Sequence, residues 1–118
     1  MKIEDQVCSL ELSKELKKFG VKQESLFWWY RNQIENDNWM DIFKKEKGYS
    51  AFTVAELVNT MSKNNRALRF TIGNYTGGDW YIPPVANFPH FKGKTQADAF
   101  TKMLIYLIEN KLIKLKEE

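Results

Sequence analysis

The sequence predicts an α+β domain. Its expected architecture is a mainly antiparallel sheet of about four strands, arranged as two hairpins, with three helices in the order α-β-β-α-β-β-α. Three observations point there. Helical periodicity opening on a capping residue occurs three times. Aromatic and β-branched runs come in two pairs, each joined by a short turn-prone stretch. No linker, repeat or low-complexity stretch divides the 118 residues, so the chain reads as a single domain over 1–118.

The first helix pattern is LELSKELKKF. Ser9 stands at the cap, and Leu12, Leu16 and Phe19 recur on one face, with Lys14, Lys17 and Lys18 away from it. Gly20 follows at a left-handed stop. Next comes LFWWYRNQI, rich in strand formers, then the turn-prone ENDN at 35–38, then WMDIF. Two apolar runs around a polar loop predict a hairpin. Its register pairs Ile34 with Trp39, Asn32 with Asp41 and Tyr30 with Phe43, and sets Trp28 opposite Lys45. Strand alternation then assigns Phe27, Trp29, Met40 and Ile42 to the core face, and Trp28, Tyr30, Trp39 and Phe43 to the other.

KEKGYS is expected to be a loop. Thr53 and Glu56 form a capping box for VAELVNTM, whose apolar face is Val54, Leu57, Val58 and Met61. ALRFTIGNY predicts a third strand with Leu68, Phe70 and Ile72 on one side. The Gly-Gly pair in TGGD predicts a tight turn into a fourth strand, WYI, stopped by Pro83 and Pro84. That turn pairs Tyr75 with Trp80 and Asn74 with Tyr81. VANFPHFKGK is expected to be a loop. Thr95 and Asp98 make a box-like start for the last helix, about 96 to 110, with Ala97, Phe100, Leu104, Leu107 and Ile108 on its apolar face and Asn110 as a left-handed stop.

Several chemistries find no support in the residues. The one cysteine, Cys8, has no disulfide partner, and with the one histidine, His90, it offers no paired spacing for a metal. A Cys8–His90 nucleophilic pair is outweighed by reading Cys8 as a small buried residue and His90 as a loop residue. Gly73, Gly77 and Gly78 lie between strands, whereas a phosphate loop opens a helix. The longest apolar run, MLIYLI, is far short of the roughly 20 residues that span a bilayer. The opening MKIEDQVCSLE carries acids where a secretory leader has an apolar core. A cytoplasmic, non-enzymatic protein without metal, cofactor or membrane is therefore expected.

The net charge of +3 permits an anionic partner without calling for one. What remains is aromatic content beside basic residues. Trp28, Tyr30, Trp39 and Phe43 from the first hairpin, with Arg69, Tyr75 and Trp80 from the second, form the candidate binding face. Such a face suits a protein contact, by self-association or with another protein. The alternative is stacking of single-stranded nucleic acid. The bland alternative is that other elements cover both faces.

The segments VCSLELSKELKKFGVKQESLFWW, YSAFTVAELV and ADAFTKMLIYLIENKLI span most of the chain. They resemble a family of small uncharacterised bacterial proteins often associated with prophages or mobile elements. The resemblance implies a bacterial, prophage-type origin. It implies no activity, and no functional residues carry over from it.

Overall fold

The computed structural model describes residues 2–64, 80–82 and 89–113. The class is α+β, with more helices and shorter strands than the sequence pattern predicts. In chain order the elements are α1 (Leu10–Lys18), β1 (Phe27–Tyr30), β2 (Gln33–Asn36), α2 (Ile42–Lys47), β3 (Tyr49–Ser50), α3 (Val54–Asn64), β4 (Trp80–Ile82), β5 (Phe91–Gly93) and α4 (Gln96–Glu109). One antiparallel sheet has the order β2-β1-β3, and a second pairs β4 with β5.

α1 forms as its pattern predicts. The Ser9 hydroxyl accepts from Leu12 N, and Gly20 takes a φ of +89° that suits glycine best. Leu16 is fully buried. The box on α3 also closes: Thr53 Oγ1 accepts from Glu56 N, and Glu56 Oε1 accepts from Thr53 N. Glu56 does more, since its other oxygen accepts from Leu26 N just before β1.

At the start of α4 the expected box is rewired. Thr95 Oγ1 accepts from Asp98 N, but the Asp98 carboxylate turns away and accepts from Ser9 N, at 2.8 Å. One side chain thus ties the start of α4 to the cap of α1. Burial pushes the Asp98 carboxyl above its usual range, and the hydrogen bond from Ser9 opposes that push.

The main core is built on α4, which packs against α1, α3, β4 and β5. Ala97, Ala99, Phe100, Met103, Leu104 and Leu107 are buried along it, so the helix is apolar over most of its circumference, as a central helix must be. The buried Thr101 hydroxyl is satisfied by donating to Ala97 O. The left-handed stop falls at Lys111 (φ 56°), one residue beyond the expected Asn110.

The first hairpin is the main correction. Its turn is Arg31-Asn32, both with positive φ, and Tyr30 pairs with Gln33, Trp29 with Ile34, and Trp28 with Glu35. This is the two-residue geometry whose twist matches paired strands. ENDN is therefore no hairpin loop. Asn36 caps a short 3-10 turn at Asp37–Trp39. WMDIF is no strand either: Asp41 accepts from Lys44 N and caps α2. The paired polar caps outweigh the β propensity of the residues between them.

A second correction concerns FPHFKGK. Its Phe91–Gly93 is a strand, antiparallel to Trp80–Ile82. The predicted third strand, the Gly-Gly turn and the pairings Tyr75 with Trp80 and Asn74 with Tyr81 lie outside the described residues.

Candidate functional site

The structure overturns the expected assignment of faces in part. Trp28, expected on the open face, is 1% exposed. The returning chain roofs it. The Trp28 indole N–H donates to Asp37 Oδ1 at 2.8 Å, Lys45 Nζ reaches the same oxygen at 3.0 Å, and the Lys45 ammonium stands 5.5 Å from the Trp28 ring centroid. Lys45 and the Trp28 N–H together hold the Asp37 carboxyl below its usual range. Phe27 and Trp29, expected in the core, are only half-buried, and the Trp29 indole N–H donates to Cys8 O. Ile42, expected in the core, is 80% exposed, while Met40 is buried as expected.

The other candidate residues divide. Tyr30 is half-buried, with the Arg31 guanidinium 5.2 Å and the Lys44 ammonium 5.8 Å from its ring centroid. Trp39 is 73% and Phe43 60% exposed. Trp80 is half-buried against the main core and lines a cavity of about 560 Å³ between the starts of α3 and α4. Arg69 and Tyr75 lie outside the described residues. No single sheet face gathers the five that are described.

What the structure does gather is a different surface. Trp39 closes the 3-10 turn, and Ile42 and Phe43 open α2. Leu26, 61% exposed, stands just before β1, where its carbonyl accepts from Asp37 N at 2.9 Å. Lys44 joins the parts by donating to Trp39 O at 3.4 Å while facing the Tyr30 ring. The Lys47 ammonium lies 4.3 Å from the Phe43 ring centroid. Leu26 and Ile42 are the residues that strand alternation missed. The signal for Ile42 was present in Asp41, a helix cap one residue ahead of it.

Cys8 is fully buried, with its Sγ 2.8 Å from Ser13 Oγ, whereas His90 is exposed. Burial pushes the Cys8 thiol from 9.0 up to about 11, the opposite of what a nucleophilic cysteine needs. The folded chain therefore keeps this proton to higher pH than the unfolded chain does. The stability linked to it is intact below pH 9.0 and is lost as pH rises toward about 11. Urea titrations below and above that window should show Cys8→Ala losing less stability than the parent chain, with a difference on the order of 2 kcal/mol. Parallel curves would contradict this.

Among the described residues there is no group of three or more His, Cys, Asp and Glu placed to hold a metal ion. Nor, among them, is any helix long and apolar enough to cross a membrane. No protein-family model, curated protein or solved structure matches the chain.

Proposed function

We propose that this protein is a non-enzymatic interaction module that docks another protein through Leu26, Trp39, Ile42 and Phe43. The observation that carries this reading is the exposure of Trp39, Ile42 and Phe43, each at 60% or more, in one short stretch of chain. Single exposed apolar side chains are ordinary, but a group around one turn marks a contact. Tryptophan is also among the residues that dominate interface energies.

Two features favour protein over nucleic acid at this surface. Leu26 and Ile42 are aliphatic and gain nothing from base stacking. The rings of Tyr30 and Phe43 already face the protein's own cations, so they make a poor open platform for bases. Self-association is disfavoured as well. A two-fold contact would bring the Arg31, Lys44 and Lys47 of both copies into one interface.

The test is a photo-crosslinking residue in place of Ile42, in the cells that make the protein. The expected result is one discrete protein adduct that disappears when Trp39→Ala and Phe43→Ser are added. Both side chains are mostly exposed, so each change should alter stability by no more than about 0.5 kcal/mol. An adduct with nucleic acid or with a second copy, or no discrete adduct, would overturn the reading.

A further inference from the structure

Beside the apolar surface lies a shallow, open groove of about 530 Å³, lined by Lys14, Lys17 and Lys18 of α1, Glu46 and Lys47 of α2, and Tyr49 of β3. Its lining holds four lysines and one glutamate. Lys17 is anchored: it donates to Glu46 O at 2.9 Å and Gly48 O at 3.0 Å, and it stands 5.1 Å from the Tyr49 ring centroid. Lys14 covers the same ring at 5.8 Å. Lys14, Lys18 and Lys47 are exposed. Crowded like charges repel, and an anion laid among them relieves the repulsion.

One side chain links the groove to the apolar surface. Lys47 belongs to both, since it lines the groove and its ammonium lies over Phe43. We infer that the partner enters this groove with an acidic polypeptide segment, running on from the apolar side chains that cover Trp39 and Phe43. This inference rests on the protein-contact reading above. A polypeptide fits better than a nucleic acid for two reasons. Polypeptide side chains cover the aliphatic Ile42 beside the groove, which a sugar-phosphate chain would leave in water. The one ring in the groove, Tyr49, carries two lysines rather than an open face for a base. A second copy fits poorly, because the chain carries no run of more than two acidic residues.

The test uses the full chain labelled with nitrogen-15 and three probes. Two are short peptides of equal length that share an apolar Trp-Leu half; the other half is all Glu in one and all Gln in the other. The third is an oligothymidylate of similar length. The Glu peptide is expected to shift the amides of Lys14, Lys18 and Lys47 together with those of Trp39 and Phe43. It should bind roughly tenfold more tightly than the Gln peptide at about 50 mM salt, and the gain should collapse at about 500 mM. Lys14→Gln with Lys18→Gln should remove the gain and leave the affinity for the Gln peptide unchanged, with an unaltered circular dichroism spectrum.

Equal affinity for both peptides, with shifts confined to Trp39, Ile42 and Phe43, overturns the groove inference and leaves the contact reading standing. Shifts in the groove without any at Trp39 or Phe43 overturn the contact reading and, with it, the continuous segment. Tighter binding of the oligothymidylate through the same lysines overturns the inference in favour of nucleic acid. Absence of shifts with all three probes overturns it outright.

Discussion

Trp28→Ala should cost about 3–5 kcal/mol, the range for truncating a large buried ring. That is a large share of the roughly 5–15 kcal/mol that stabilises a domain. Three links act together here. The ring is 1% exposed on the central strand of its sheet, flanked by Glu35 on β2 and Ser50 on β3. Its indole N–H donates to Asp37, which also takes Lys45. Removing the ring leaves a void under the segment that carries Trp39 and α2, so the contact surface should loosen along with the fold. Trp28→Phe separates the terms. It keeps most of the buried ring and loses only the N–H, and half-exposed Asp37 then turns to water. A loss of about 1–2 kcal/mol is expected. Denaturant midpoints of the two variants should fall in that order, with similar slopes. A Trp28→Ala chain within about 1 kcal/mol of the parent would show that the ring is not buried in this way.

Gly93→Ala is the second large effect, and its cause is steric. Gly93 pairs with Trp80, and a Cβ there would lie 2.5 Å from Ala99 N and 2.9 Å from the Asp98 carbonyl carbon. Those are backbone atoms in the first turn of α4. They are held by the bond from Ala99 N to Thr95 O and by the Thr95 cap, and the Asp98 carboxylate is anchored on Ser9 N. Relief requires either moving β5 off the helix or opening a cap that also ties down α1. A loss of about 3 kcal/mol is expected, at the upper end for overpacking. Gly20→Ala is the control. Nothing stands within 4 Å of its added Cβ, and only the φ of +89° opposes it. That costs about 1–2 kcal/mol. Thermal or urea unfolding should rank Gly93→Ala as the more damaging. The reverse order would mean that β5 does not pack on α4 this closely.

The candidate surface was half legible. Phe43 stands out in the sequence beside Lys44, and Trp39 as an aromatic residue four positions earlier, and both are exposed. Trp28 stands out equally and is buried, because composition is the same for a core ring and a surface ring. Alternation sets Trp28 and Trp29 on opposite faces, and only packing decides which face is covered. The register went astray at one turn. Arg31-Asn32 lacks the glycine that marks two-residue hairpin turns, whereas ENDN carries Asn or Asp at three of its four positions. Moving the turn from 35–38 to Arg31 and Asn32 frees WMDIF from the sheet. Asp41 is then left to start a helix and Ile42 to point outward. The lysine groove was less legible still. Lys14 and Lys47 are brought together by the packing of α1 beside Tyr49, which sequence spacing does not encode.

By itself the sequence determined the α+β class, the helix starts at Ser9, Thr53 and Thr95, and the stop at Gly20. It also marked WYI as a strand. Each of these is local, settled by caps, turn residues and periodicity within a few residues of chain. Tertiary structure alone decided which face of FWWY is buried, that Phe91–Gly93 joins Trp80–Ile82, and that Asp98 reaches the cap of α1 instead of closing its own box. The physical reason is the same for all three. A buried ring, a strand partner and a carboxylate acceptor are chosen by groups far away in sequence, and the choice is made by what the completed core leaves open to water.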